Sequence, residues 1–399
     1  MPIRSSRLVR AALALAACCA SLQAGAATVT VTSTADNTTV DGQCTLREAI
    51  LATNAGAASA DCPATGTWGT SDTIAFNIPG VGVKLIQPQS AYAALTRPVT
   101  IDGYTQPGAS VNTIAAGAYP NATGVNMQIA VEIDGAGAGN VHGLMFNTGS
   151  SNSVVRGLSI ANFQGAGIYI PSTASVGVTG NLIGWHADGT TRGPNLYGVL
   201  TYGYGTVIGG GSPVARNLIV SGGESAVKAI NTYNMIVEGN LIGVNRNGLS
   251  PGAALVGNGI SLNDLTGPGI SNNVIAHHSG DAIAMQGVLN GAAAGNTIGE
   301  GVGGAPLGNG GRGILLVNSA AVQTNGAIIH DNGIAGSGVG GIYVLGDAAY
   351  GNPVGNRLDN NAIYGSGGLG INLRPVGEAG SATVTPNDAL DTDTGPNGL

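Results

Sequence analysis

Apolar and polar positions alternate in short bursts along this chain, and one burst recurs seven times as the phrase Asn-x-Ile. The copies are Asn181-Leu182-Ile183, Asn217-Leu218-Ile219, Asn240-Leu241-Ile242, Asn273-Val274-Ile275, Asn296-Thr297-Ile298, Asn332-Gly333-Ile334 and Asn361-Ala362-Ile363. Each is followed by a small residue and then Ile or Val: Gly198-Val199, Ala226-Val227, Gly259-Ile260, Ala282-Ile283, Gly313-Ile314, Gly341-Ile342 and Gly370-Ile371. Short apolar strands repeated at a near-fixed period are the mark of a solenoid. From Asn217 to Val227 is 10 residues and from Val227 to Asn240 a further 13, so the shortest complete turn takes 23. That length suits one coil of a parallel β-helix with two or three short strands. A helical repeat needs about 34 residues and two amphipathic helices, and the chain has no such periodicity.

Stacked coils place equivalent positions above one another, roughly 4.8 Å apart. The seven Ile residues of the phrase are therefore expected to form one internal aliphatic column. The seven Asn residues are expected to form a ladder at a bend, bonding one another and the turn backbone, which is a structural role. Glycine, 69 of 399 residues, supplies positive φ at the turns between strands. Collagen is excluded because glycine follows no three-residue register.

Outside the repeat the pattern predicts a strand over residues 28–32 and one helix over residues 45–52. Thr45 and Glu48 make a capping box, and Leu46, Ala49, Ile50 and Thr53 share a face at helical spacing. Such a helix at the head of a β-solenoid covers the open end of the core. Further strands are predicted over residues 73–76, 83–86, 99–103 and 131–135, with an irregular excursion over 104–126. Regular coils run from about Leu144 to Leu373. The resulting division is a leader (1–26), a cap (27–70), a β-helix of eleven or twelve coils (71–375), about 50–60 Å long, and an acidic tail (376–399).

Composition narrows the compartment and the partners. The chain is 43% hydrophobic but only 9% charged and 4% aromatic, with a formal charge of −7. Neither a disordered polyanion nor a basic nucleic-acid binder fits. Arg4, Arg7 and Arg10, an apolar run over 11–17 and the small-residue site Ala24-Gly25-Ala26 read as a secretory signal. The apolar run is too short to span a bilayer. Loss of residues 1–26 removes three cations and no acid, taking the charge from −7 to −10. Leu15-Ala16-Ala17-Cys18 also reads as a lipobox, with lipidation at Cys18 as the alternative. The strand that starts just after Ala26 favours plain cleavage there. Cys44 and Cys62, 18 residues apart, then form a disulfide in an oxidising compartment, contributing about 3 kcal/mol.

The run Cys44-Thr45-Leu46-Arg47-Glu48-Ala49-Ile50 resembles the Cys-Ser-Leu-Arg-Glu-Ala motif of the CSLREA-domain proteins, which are exported bacterial proteins with right-handed parallel β-helix repeats. Ile101-Asp102-Gly103 with Thr105-Gln106-Pro107-Gly108-Ala109, the Gly239-Asn240-Leu241-Ile242-Gly243 type of repeat, and Thr392-Asp393-Thr394-Gly395-Pro396-Asn397-Gly398-Leu399 are similar to that family too. The resemblance covers most of the mature chain and implies an all-β fold, a right-handed parallel β-helix with a short N-terminal capping helix. Thr45 replaces the usual Ser and caps a helix equally well. Similar chains continue past the Gly-Pro-Asn segment, so a lost C-terminal portion is expected. The family has no settled biochemical activity, so function must be read from the residues.

Three sets of residues carry candidate chemistry. His277, His278 and Asp281 sit in a short turn, where His278 and Asp281 suit an acid–base pair and an exposed polar turn accounts for them equally. Long segments follow Ile183, Ile242 and Ile298, on every second coil at one corner, roughly 10 Å apart. They bring Trp185, His186, Asp188, Arg192 and Tyr197, then Asn245, Arg246 and Asn247, then Glu300 and Arg312. Repeat proteins place insertions on their binding face, and exposed rings beside amides and carboxylates suit sugar stacking. Plain coverage of the solenoid corner is the alternative. Asp391, Asp393 and Asn397 space oxygens as a calcium loop does, without the terminal Glu, so Ca²⁺ is the only cofactor candidate. No Asp-Asp pair or Gly-His-Gly of the polygalacturonase type is present, and the cations Arg156, Arg192, Arg216, Lys228, Arg246, Arg312 and Arg357 fall at scattered phases of the repeat.

The expected function is that of an exported, non-catalytic β-helix protein in surface adhesion or contact with extracellular polysaccharide or cell-surface components. The alternatives are a polysaccharide lyase or hydrolase using a groove on the solenoid, and a structural spacer of a larger surface protein.

Overall fold

In the computed structural model, which describes residues 26–171 and 174–377, three sheets wind around one aliphatic core. Nine complete turns, from Val99 on, each contribute a strand to a twelve-stranded first sheet, then to a ten-stranded second sheet, then to a nine-stranded third sheet; the extra strands of the first two sheets lie at the head of the stack. One full turn is Val176–Thr179, Leu182–Ile183 and Asn195–Thr201; the next is Val207–Gly209, Leu218–Ile219 and Ser221–Ile230. Every strand-to-strand pairing within the three sheets is parallel except that of the two-residue strand Ala64–Thr65, which lies antiparallel on Thr28–Val31 and closes the edge of the first sheet. Eleven rungs are described, and the stack begins with Thr28–Val31, ahead of residue 71 where the sequence pattern starts it. The fold is a right-handed parallel β-helix with a capping helix.

Register follows the Asn-x-Ile phrase. Ile183, Ile219, Ile242, Ile275, Ile298, Ile334 and Ile363 pair in sequence up the second sheet, and the first six have no exposed surface. The small residue of the second phrase has a steric cause. A Cβ on Gly198 would lie 2.5 Å from the Ile219 methyl, and one on Gly313 would lie 2.3 Å from the Ile334 methyl. The column occupies the space a side chain there would need.

The asparagines form the expected ladder. Nδ2 of each donates to Oδ1 of the next at 2.9–3.2 Å, from Asn181 through to Asn361. Each amide also donates to a backbone carbonyl, as Asn217 does to Val178 O at 2.8 Å. In the five inner asparagines, Asn217 to Asn332, Oδ1 accepts twice and Nδ2 donates at least twice, which keeps the polar bend tolerable inside the stack. The residue before the ladder Asn is left-handed in six of the seven turns, as Gly180, Gly239, Asn272, Gly295, Asp331 and Asn360 with φ of 51–70°. The seventh is Arg216, with φ of −64°.

At the head of the stack α1 (Leu46–Ala55) places Leu46, Ala49 and Ile50 on the core. Both halves of the Thr45–Glu48 capping box are made, and Gly56 ends the helix at φ 60°. The disulfide Cys44–Cys62 is formed, with Cα atoms 4.8 Å apart. Arg47 ties the cap to the first turns through Asp36 at 2.8 Å and through Ser90 O and Ala91 O.

The irregular excursion expected over residues 104–126 runs on to residue 129 in the structure and is an arm laid along the outside of the second sheet. It runs out past Pro213, Gly239 and Gly295, turns at Tyr119-Pro120, and returns with Ser110 and Gln128 paired antiparallel. Beneath it lies a second core, in which Ala122, Val125, Met127 and Ile129 of the arm meet Leu182, Leu218, Leu241 and Val274 of the sheet. Arg216 fastens the arm. Its guanidinium is buried and donates to Gly239 O, Ile114 O, Ala115 O, Thr123 Oγ1, Gly124 O and Thr123 O at 2.8–3.2 Å. Burial lowers its pKa to about 10, so it remains a cation held by carbonyl dipoles. At the tip the Tyr119 ring occupies the place of a side chain on Gly333, where a Cβ would lie 1.9 Å from Cδ2.

Candidate functional site

The corner loops that the sequence marks out for binding are spent on holding themselves and the arm. Trp185, expected as an exposed ring, has no exposed surface and belongs to the second core. Its placement follows from its neighbours: Leu182, Leu218 and Val220 offer an apolar bed that the arm closes. His186 Nδ1 meets Glu132 Oε1 at 2.6 Å, and Glu132 Oε2 accepts from Ala187 N at 2.8 Å. Asp188 accepts from Thr190 N, Thr191 N and Thr191 Oγ1; partial burial pushes its pKa up, but these bonds outweigh it and hold the group at about 2. Arg192 reaches Ala253 O at 2.9 Å. Asn245 Oδ1 accepts from Asn247 N and Leu249 N, a local turn. Arg246 donates to Asp188 O and to Met127 O of the arm. Of Glu300, the backbone pairs with Pro306.

The His277–Asp281 segment separates into three roles. His277 takes a left-handed conformation, φ 67°, with Nε2 2.8 Å from Gly252 O. His278, expected in an exposed turn, is buried, and neither ring nitrogen has a hydrogen-bond partner. Burial first, and then the neighbouring His277, pushes its pKa down to about 3. It is neutral and makes no bond to Asp281. Asp281 turns to the third sheet and accepts from Arg312 N at 2.6 Å and from Arg312 Nη1 at 3.3–3.4 Å.

The outer face of the third sheet gathers the remaining polar chemistry. In-register pairing sets Leu200, Lys228, Ser261, Ala284, Leu315 and Tyr343 in one column. Strand alternation turns this column away from the core, where the preceding positions Val199, Val227, Ile260, Ile283, Ile314 and Ile342 all lie, although Ser261 and Tyr343 are themselves covered by neighbouring side chains and loops. Over it runs an open groove of about 650 Å³, walled by Leu196 and Val256 and floored by Lys228, Ser261, Asn263 and Gln286. Lys228 Nζ bonds Glu224 Oε2 and lies 5.5 Å from the Tyr197 ring centroid. Bonds from Lys228 and then from Tyr197 hold the Glu224 carboxyl below its ordinary value. Desolvation first, and then the bond to Glu224, pushes the Tyr197 phenol up to about 12. Ser225 and Ser261 share a 2.7 Å bond, Asn258 donates to Ser261 at 3.0 Å, and Asn263 donates to Gln286 at 2.9 Å. Arg312 lies 5.5 Å from the Tyr343 ring centroid and closes the row. At the other end Tyr169, one rung before Leu200, stacks on His142 at 4.4 Å and meets Tyr202 edge-on.

Of the residues singled out in the sequence, the structure brings Tyr197, Asp281 and Arg312 to this face and leaves the others at the corner. Glu224, Ser261, Asn263 and Gln286 were missed, and Lys228 was counted among scattered cations. For Lys228 and Ser261 the signal was the position after the second-phrase Ile or Val, and for Asn263 and Gln286 the position two further on; both phases of the strand point away from the core. Asp391, Asp393 and Asn397, and residues 1–25 of the leader with Cys18, lie outside the described residues. Among the described residues no group of three His, Cys, Asp or Glu is placed to hold a metal, and no helix is long and apolar enough to cross a membrane.

Comparisons with known proteins address the fold. Three solved structures are similar to this chain: the Dettilon tailspike protein (gp208), 18% identical over 87% of this chain and 67% of that one, with a TM-score of 0.40; the periplasmic alginate epimerase AlgG, 14% identical over 75% of each, at 0.36; and the Azotobacter vinelandii mannuronan C-5 epimerase AlgE4 A-module, 12% identical over 80% of this chain and 91% of that one, at 0.30. No curated protein matches the chain. Residues 142–325 match the family model described as right handed beta helix region. Over that stretch the repeat is of the right-handed β-helix kind.

Proposed function

We propose that this is an exported, non-catalytic β-helix protein of the CSLREA type that holds an extended glycan along the outer face of its third sheet. The observation that carries the reading is the open groove in which hydroxyls, amides and paired charges line successive rungs, with Tyr197 at one end and Tyr169 and Tyr202 beyond it. Stacked rungs offer donors and acceptors at a regular interval, which suits a polymer that repeats its own hydroxyls. Export is read from residues 1–26, and the Cys44–Cys62 bridge fits an oxidising compartment.

Two features favour binding over turnover. A glycosidase acid must keep a proton at neutral pH, through a raised pKa, whereas the Glu224 carboxyl is lowered by its bonds to Lys228 and Tyr197. Asp281 spends its oxygens on the backbone and side chain of Arg312. The test is incubation of the purified protein with a panel of polysaccharides, measuring both retention and products. Retention without new reducing ends or unsaturated sugars is the expected result. Product formation makes it an enzyme, and retention of no polysaccharide removes the glycan reading.

A further inference from the structure

We infer that the groove selects uncharged glycans and turns away polyuronates, and that Glu224 is the residue that does the screening. This rests on the glycan reading above and adds the chemical class of the ligand. The cations on this face are committed. Lys228 is bonded to Glu224 and Arg312 to Asp281, so the four charges sum to zero along this face. What remains to meet a ligand is neutral: Asn258, Asn263 and Gln286, with Ser261 largely buried beneath them.

The Lys228–Glu224 pair also has a direction. The Glu224 side chain is 60% exposed and that of Lys228 only 21%. A carboxylate-bearing sugar approaching Lys228 therefore meets the Glu224 carboxylate first. Like charge at contact is a stronger discriminator than a lost attraction. Beyond the groove the whole chain carries −7, which repels a polyanion at longer range. Hydroxyl-rich neutral chains incur neither cost, and they find amide donors and acceptors already oriented by the Asn258–Ser261 and Asn263–Gln286 bonds. Arg312 sits deeper in its own arrangement, bonded to Asp281 and seated by the Tyr343 ring. Its geometry depends on Asp281, whereas Glu224 can change without disturbing a backbone bond.

The experiment is a charge cycle on the full-length protein at low salt. Binding of neutral polysaccharides and of polyuronates is compared for wild type, Glu224→Gln, and Glu224→Gln with Lys228→Gln. Wild type should retain neutral chains and not polyuronates. Freeing Lys228 in Glu224→Gln should raise polyuronate binding roughly tenfold, an effect that added salt abolishes. The double variant should lose that gain. Polyuronate binding by wild type as firm as that of neutral chains overturns the inference while leaving the glycan reading intact, and so does a Glu224→Gln variant that gains nothing. Failure of every variant to retain either class overturns the glycan reading itself. Circular dichroism of each variant confirms that the stack is unchanged.

Discussion

The second and third sheets are built by the same rungs, yet their outer faces have opposite fates. On the second sheet the outward residues Leu182, Leu218, Leu241 and Val274 are apolar and lie under the arm. On the third sheet the outward residues Lys228, Ser261, Asn263 and Gln286 face an open groove. One face is a second interior and the other is the surface on which chemistry can act. The difference is not in the strands, whose inward columns are equally aliphatic, but in whether a segment from elsewhere in the chain covers them. A solenoid face is thus a site only when nothing inside the protein already uses it.

The comparison is broken most severely by removing what seals the second sheet. Arg216→Ala removes the guanidinium that six acceptors share, leaving the carbonyls of Gly239, Thr123 and Gly124 without that donor, and should lower stability by about 3–5 kcal/mol, read by thermal or urea unfolding. Limited proteolysis should then cut first within residues 104–128. Trp185→Ala empties the same interior and should cost about 3–5 kcal/mol while glycan retention is unchanged. A Trp185 variant that folds normally but binds less would return the corner loops to the binding surface.

Between the two faces stands His278, whose unpartnered ring gives the stack a pH limit. Its folded pKa of about 3 lies below the ordinary 6.5, so between those values the unfolded chain binds the extra proton. Stability is fully present above pH 6.5 and falls as pH drops toward 3, by up to about 1.4 kcal/mol per pH unit. His278 N donates to Asn309 Oδ1, placing the two in neighbouring rungs at one corner. His278→Asn should flatten this slope in denaturation measured from pH 7 to 4. An unchanged slope would assign the acid sensitivity to other groups.

A smaller effect is expected from Gly333→Leu, which restores the residue common at this position but collides with Tyr119. Overpacking should cost about 1–3 kcal/mol and release the arm tip, seen as enhanced Tyr119 iodination. The smallest change in stability belongs to the open face. Tyr197→Ala should weaken glycan retention by about 1 kcal/mol and move stability by no more than about 0.5 kcal/mol. Trp185 and Tyr197, read alike from the sequence, should therefore behave in opposite ways.

These contrasts show what the sequence could carry. The stacked columns were legible because repetition states the register outright: Asn217 and Asn240 bond because they occupy equivalent positions. The cap was legible because its bonds are local, Thr45 to Glu48 and Cys44 to Cys62. The arm was not, because its partners are far apart in the chain, Ile114 and Arg216 by 102 residues. Two departures from the repeat did point to it: an Arg where six other turns need a left-handed residue, and Gly333 where the phrase otherwise carries a side chain. The corner loops misled because their polar residues look available, although Asp188 and Asn245 each sit at the start of an Asx turn. The groove was hidden because its residues meet only through sheet pairing and share no single polarity.

A stack of rungs has no intrinsic length. Each turn touches only its neighbours, so a shortened or lengthened chain would build just as well, one layer at a time. The arm ends this indifference. Its root leaves beside Asp102 and its tip hydroxyl reaches Tyr364, 245 residues further along the chain. That contact exists only after the rung carrying Tyr364 has been laid down, and slow long-range closure of this kind comes late in folding. The arm therefore works as a ruler: it docks fully only on a solenoid with enough turns, and a chain that stalls early leaves the arm's tip without the rungs of Gly333 and Tyr364.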